Sequence, residues 1–163
     1  MPRAAKGTKD QKSPLPPSQS IGFLIRDTMM LLQQELRARL QEHGISTAQW
    51  FLLRVLWLEE GLSQRELSDR VNTTEPTTQS ALLRMEKQGI VRRRRSTTDR
   101  RAYNIYLTPK GRGLEAKLIP YALEVNEIAG RGLKGAEARQ FKALINKVRS
   151  NLKDSQNGRK SAR

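Results

Sequence analysis

Cysteine is absent from the 163 residues, which removes disulfides, thiolate nucleophiles and thiol redox sensing together. Histidine occurs once, at His43, so a metal site of the usual His and Cys kind cannot be assembled. There is no Gly-rich phosphate loop and no nucleophile elbow, and the carboxylates are scattered over solvated helical faces rather than paired. These absences lead us to expect a chain that is not an enzyme and needs no cofactor. No apolar run reaches the roughly 18 residues of a membrane span, and the N-terminus has no apolar signal segment, so the expectation is a cytoplasmic chain off the membrane. Acids are scarce as well. Lysine plus arginine number 31 against 16 acidic residues, giving a net charge of +15 and a pI near 10.9. That is the electrostatic footprint of a nucleic-acid binder, although an acidic membrane surface would attract the same charge. Hydrophobic residues make up 36%, enough for one core. A mean hydropathy of −0.69 with 29% charged residues points to one compact unit with polar tails.

The tails are expected at residues 1–20 and 153–163. The first holds Pro2, Pro14, Pro16 and Pro17 among Lys, Ser and Gln, and neither has an apolar period; both read as disordered and basic. Between them the pattern is helical. Ile21, Ile25, Met29, Leu32, Leu36 and Leu40 recur at spacings of four and three, with Leu24 and Leu31 widening the stripe, which predicts an amphipathic helix from Ile21 to His43, stopped at Gly44. "STAQ" at Ser46 to Gln49 has the spacing of a capping box, and "WFLLRVLWLEE" after it is apolar nearly all round, as a central buried helix would be, ending at Gly61. "SQRE" at Ser63 to Glu66 is a second capping box, opening a short helix to about Val71. After a turn at Asn72 and Thr73, Thr74 can cap a helix with Pro76 in its first turn, running to Gln88.

On that last helix Thr78, Ala81, Leu82 and Met85 form the face to be buried, and Thr77, Gln79, Ser80, Leu83 and Arg84 lie around the other side. Two short helices joined by a tight turn, the second offering short polar side chains at its start, match a helix-turn-helix entering a major groove. Alone, the same pattern would also suit an ordinary helical hairpin. The next segment separates the two. Tyr103, Ile105 and Leu107 alternate with Ala102, Asn104 and Tyr106, and the run Ile90 to Arg94 can pair with them around a polar turn at Ser96 to Asp99. Six arginines stand between Ile90 and Arg101 against one acid, Asp99, a density that is self-repelling unless a polyanion neutralises it. A helix-turn-helix followed at once by a basic hairpin is a winged helix. The fold class expected is therefore mostly α, an α+β winged helix-turn-helix with a two-stranded β wing.

Over Ile45 to about Gly113 the sequence resembles the multiple antibiotic resistance regulator (MarR) family of bacterial transcription factors. The resemblance lies in "ISTAQWFLLRVLWLEEGLSQRELSDRV" and "EKQGIVRRRRSTTDRRAYNIYLTPKG", above all in the D-x-R wing, Asp99 and Arg101, followed by "LTPKG". It implies that Arg101 enters the minor groove, where negative potential favours arginine, and that Asp99 brackets it. The DNA-binding set expected is Ser63, Gln64, Thr74, Pro76, Thr77, Gln79, Ser80, Arg84, Asp99, Arg100 and Arg101. Two positions depart from the family pattern: Thr78 stands where an apolar residue is usual, and Ser80 where a longer polar or basic residue is frequent.

Downstream, Thr108 and Pro109 start a helix in which Leu114, Leu118, Tyr121, Val125 and Ile128 make a short coiled-coil seam, kinked at Pro120 and ended by Gly130 and Gly132. A last helix, about Ala136 to Leu152, aligns Phe141, Leu144 or Ile145, Val148 and Leu152. One small winged helix cannot cover all these stripes, so pairing with a second copy is expected, in line with the family, whose terminal helices form the dimer. Residues 21–44 and 109–152 are then dimerisation helices flanking a DNA-binding domain at 45–108. The function expected is a homodimeric repressor on a pseudo-palindromic double-stranded operator, with a sequence-tolerant architectural DNA-binding or RNA-binding protein as the alternative that +15 alone would satisfy. The resemblance also implies a small aromatic or carboxylate effector held between dimer helices and winged domain. Met29, Met30, Trp50, Leu53, Arg54 and Trp57 are the candidate lining, unless the large apolar side chains among them only fill the core.

Overall fold

The computed structural model describes residues 15–95 and 103–161. The chain forms two compact units, Met1–Tyr121 and Ala122–Arg163.

Among the described residues the first element is a 3-10 turn, Pro17–Gln19, inside the stretch expected to be tail. Ser20 follows it and caps α1 (Ile21–Gln41), its Oγ accepting from the Phe23 N–H at 3.2 Å. Only Leu36 and Leu40 of α1 are buried, so the C-terminal half of the helix holds to the core. Its N-terminal half leaves Ile21, Leu24, Ile25 and Leu31 exposed. Helix α2 (Thr47–Leu56) opens with the capping box expected at Ser46 and Gln49. It stops five residues short of Gly61, because Glu60 is drawn out of helical line: its Oε2 accepts from the Leu107 N–H at 3.0 Å, and its carboxylate meets Arg112 through two hydrogen bonds of 2.9 and 3.0 Å. Trp50, Leu52, Leu53 and Leu56 of α2 are all buried, which makes it the central helix of the unit.

Helices α3 (Gln64–Val71) and α4 (Glu75–Lys87) follow, joined through Asn72, whose φ of 54° is left-handed. Asparagine adopts that conformation at lower cost than most non-glycine residues, which suits it to a tight turn after a helix. The sheet has three strands rather than the two expected, in the order β1-β3-β2. Strands β2 (Val91–Arg95) and β3 (Tyr103–Leu107) pair antiparallel with Val91 opposite Leu107 and Arg93 opposite Ile105. The extra strand, β1 (Leu62–Ser63), pairs with Ile105 and Asn104 of β3. Two residues are too few to show an alternating pattern, so no sequence signal marks β1.

Helix α5 (Pro109–Ala129) runs unbroken across Pro120. Its start needs Gly111, where a Cβ would lie 2.2 Å from the Ile90 carbonyl oxygen. Trp57 donates from Nε1 to the Gly111 carbonyl at 3.1 Å, which ties α2 to the same spot. Leu114, Leu118 and Val125, read from the sequence as part of an intermolecular seam, are buried within the chain itself; their spacing marks a core face.

In the second unit α6 (Gly135–Ser161) extends nine residues beyond Leu152, through most of the stretch expected to be a disordered tail. The absence of an apolar period there says that the stretch is not buried; it does not say that it is not helical. Once a helix is nucleated, continuing it through Lys, Gln and Arg is nearly neutral. Phe141, Leu144, Ile145 and Leu152 of α6 are exposed.

Candidate nucleic-acid interface

The N-terminus of α4 is built by Thr74. Its Oγ1 accepts from the Thr77 N–H at 3.4 Å and shares a hydrogen with the Thr77 hydroxyl across 2.8 Å. Pro76 occupies the first turn, where no intrahelical partner is lost. Below, Thr78, Ala81, Leu82 and Met85 are buried; above, Thr74, Pro76, Thr77, Gln79, Ser80, Leu83 and Arg84 are exposed. The helix therefore presents the polar face that the spacing predicted, fixed by four buried anchors.

Ser63 caps α3 and Gln64 opens it, and both are occupied within the fold. The Ser63 N–H and hydroxyl both donate to Glu66 Oε2, at 2.7 and 2.8 Å, and its Oγ accepts from the Glu66 N–H at 3.2 Å. This ring of hydrogen bonds, the backbone donor first and the hydroxyl second, holds the Glu66 carboxyl below its ordinary pKa. Gln64 Nε2 reaches the Glu75 carbonyl at 3.5 Å, bridging the start of α3 to the start of α4.

On the wing, side chains alternate. Arg92 and Arg94 are exposed on one face, with Arg94 lying 5.5 Å over the Tyr106 ring. Arg93 points the other way, half-buried, its Nε 3.3 Å from Glu86 Oε2 on α4. Asp99, Arg100 and Arg101 lie outside the described residues. A second clamp was not legible beforehand. Gln49, 98% buried, accepts the Ser46 N–H at 2.9 Å and donates to Gln88 Oε1 at 2.6 Å, while Gln88 Nε2 donates to the Gly44 carbonyl at 2.9 Å. The sequence offers one hint of it: Gln49 is a polar residue in the first turn of a largely apolar helix.

Of the six residues expected to line an effector site, Trp50, Arg54 and Trp57 cluster together, while Met29 and Met30 line separate cavities. Trp50 and Leu53 are buried core, Trp57 packs edge-on to Trp50 at 5.8 Å, and Arg54 covers the Trp50 ring at 5.4 Å. Of two cavities among the described residues, neither is lined by any of those four. One, of about 840 Å³, takes Met30 together with Arg37, Arg84 and Lys87; the other, of about 480 Å³, takes Met29 and lies under the N-terminal turn of α4. Among the described residues no three His, Cys, Asp or Glu side chains gather as a metal site would require, and no helix is long and apolar enough to cross a membrane.

Known proteins share this arrangement. A model of the MarR family matches residues 45–103. The HTH-type transcriptional regulator TtmR of Methylorubrum extorquens (strain PA1) is 35% identical over 116 residues, 70% of this chain and 56% of that protein, so the chain spans little more than half of that relative's length. The transcriptional regulator HosA of Escherichia coli O111:H- is 30% identical over 119 residues, 72% of this chain and 88% of HosA. Among solved structures, the MepR–DNA complex of S. aureus superposes with a TM-score of 0.75 at 25% identity, covering 81% of this chain and 98% of that one. With the helix-turn-helix, the wing strands and these matches agreeing, the chain belongs to the MarR family of winged helix-turn-helix transcriptional regulators.

Proposed function

We propose that the protein acts as a homodimer on a pseudo-palindromic operator, represses by occupying the promoter, and is released by a small aromatic effector. The observation that carries the DNA reading is the start of α4. Thr74, Pro76, Thr77, Gln79, Ser80 and Arg84 are exposed together above a buried face, next to a strand whose outer side holds Arg92 and Arg94. Base edges in the major groove are read by such short hydroxyl and amide groups, while wing arginines engage phosphate or the minor groove. In this reading Arg101 enters the minor groove, Asp99 orients it, and Arg100 meets the backbone. Ser63 and Gln64 stay at the α3 terminus and contact phosphate only with the groups their cap leaves over. A protein of similar fold, MepR of S. aureus, is solved as a complex with DNA, which supports a DNA-binding role.

Dimerisation rests on exposed apolar surface. Ile21, Leu24, Ile25 and Leu31 on α1, and Phe141, Leu144, Ile145 and Leu152 on α6, are each 38% exposed or more; so many exposed large apolar side chains on a helix mark an interface. Two copies related by a twofold axis would set their recognition helices about 34 to 36 Å apart and require an inverted repeat.

The test compares affinity for the protein's own promoter with affinity for random duplex at one salt concentration. A preference of about a thousandfold or more supports the operator reading. Equal affinity for both duplexes favours a sequence-tolerant architectural protein, and tighter binding to RNA favours an RNA-binding one. Leu144→Glu, on an exposed position, should lower dimerisation and operator affinity together; a monomer that still binds tightly removes the dimer from the proposal.

A further inference from the structure

On the recognition helix one outward side chain does not share the chemistry of its neighbours. Thr78, Ala81, Leu82 and Met85 turn inward and are buried, while Gln79, Ser80, Arg84 and Lys87 are exposed. Leu83 stands among the exposed ones, on the side of the helix away from the buried four, and 51% of its surface is open to solvent. A single exposed leucine is ordinary on a protein surface; the register sets this one apart. Pro76, Gln79, Ser80 and Leu83 fall at i, i+3, i+4 and i+7 of α4, which lines them up along one crest. Base-contacting side chains on the DNA-reading helix of homeodomains have the same spacing. Cations surround the crest: Arg84 and Lys87 on α4, and Arg92 and Arg94 on the outer side of the wing, are all exposed. Such a surface repels a second copy of itself and attracts a polyanion.

We propose that Leu83 is a specificity-determining residue, which selects one thymine in each half-site by covering its C5-methyl group in the major groove. That methyl is the apolar group that a base pair offers there, and an apolar side chain is its fitting partner. The same contact disfavours the other bases. Cytosine would bring an N4 donor, and guanine its O6 and N7 acceptors, against a side chain that forms no hydrogen bond, so those groups would lose water without replacement. Gln79, one turn earlier on the crest, has the amide that pairs with adenine; Leu83 supplies a contact that no amide or hydroxyl on the crest can make. The inference rests on the operator-binding reading of α4 above and deepens it by naming the base that is read.

Deoxyuridine scanning tests it, because uracil lacks the methyl group and keeps the hydrogen-bonding edges of thymine. The probe is the duplex that the full chain selects from a random library, with each thymine replaced in turn. At one thymine position in each half-site, the replacement should weaken binding by wild type about fourfold, the worth of one buried methyl. Leu83→Ala should bind the unmodified duplex about fourfold or more weakly per half-site, melt as wild type does, and be indifferent to uracil at that position. Gln79→Ala should keep the uracil effect there. Indifference of wild type to uracil at every position would overturn the proposal, as would equal uracil profiles for wild type and Leu83→Ala. A Leu83→Ala protein that melts lower or dimerises less with the wild-type uracil profile would assign the side chain to a protein contact and overturn it too. Selection that yields no preferred duplex removes the operator reading and this inference together, whereas a preferred duplex without a Leu83-dependent uracil effect removes the inference alone.

Discussion

Arg93 on the wing strand and Glu86 on the recognition helix stand 3.3 Å apart, Nε to Oε2, with the arginine side chain 24% exposed and the glutamate 41%. The contact is one of charge without an aligned hydrogen bond, since Nε and Nη2 of Arg93 are buried with no hydrogen-bond partner. One of the basic hairpin's arginines is thereby withdrawn from the DNA-facing set and spent on holding the wing against the helix.

The neighbouring arginines should thus behave differently. Arg93→Ala should lower the melting temperature, by an amount corresponding to about 1 kcal/mol for a partly exposed pair. Arg92→Ala should leave melting unchanged and reduce the slope of log affinity against log salt by about one phosphate contact. Equal melting temperatures for Arg93→Ala and wild type would remove the structural role.

On α4, Gln79→Ala and Arg84→Ala should relax base preference at particular operator positions, by about 1 to 3 kcal/mol at each. Thr77→Ala should add a stability loss, because its hydroxyl also bonds to the Thr74 cap at 2.8 Å. Selection of binding sites from a random library, followed by sequencing, reads the preference. Identical selected sites for wild type and both variants would place base reading on another surface.

Local rules explain how much of this was legible. Both capping boxes, the Thr74 cap and the buried quartet on α4 depend on residues three or four apart, and their spacing is visible in sequence. What escaped involves partners far along the chain. Gln88 reaches back 39 residues to Gln49, Glu60 turns across 47 residues to Leu107, and β1 exists only because β3 arrives beside it. The heptad-like spacing of Leu114, Leu118 and Val125 could not say whether its cover came from the same chain, and burial within the chain settles that. Large apolar type alone does not separate a ligand wall from core: Trp50 and Leu53 are buried, and the spacing that sets them on one helical face serves either use.

Two glycines two residues apart in α5, Gly111 and Gly113, should respond oppositely to alanine. Gly111→Ala would drive a Cβ to 2.2 Å from the Ile90 carbonyl oxygen, against backbone that anchors both Thr108 N–H and Thr108 Oγ1. It should destabilise by about 2 kcal/mol or more. Gly113→Ala meets nothing within 4 Å and removes a flexible residue from the helix, so it should stabilise by about 0.5 to 1 kcal/mol. Urea denaturation of the two variants beside wild type checks both signs, and a stabilised Gly111→Ala would contradict the close approach of α5 to the sheet.

The Ser63–Glu66 cap makes a prediction about acid. The folded-state pKa of Glu66 is depressed from its ordinary 4.5, chiefly by the Ser63 N–H and then by the Ser63 hydroxyl. A carboxylate favoured in the folded state binds protons more readily when unfolded, so its contribution is fully present above the unfolded pKa and is lost as pH falls through the lower, folded one. The glutamine of Glu66→Gln can still accept from the cap but carries no charge. The stability difference between wild type and Glu66→Gln should therefore be constant near neutral pH, shrink below the ordinary carboxylate range, and level off once Glu66 is protonated in the folded chain. Melting temperatures of the pair from about pH 7 down to about pH 3 measure it. A difference that stays flat over that whole range would mean that the helix opening the helix-turn-helix is held by the shape of the cap alone, with no part played by the charge on Glu66.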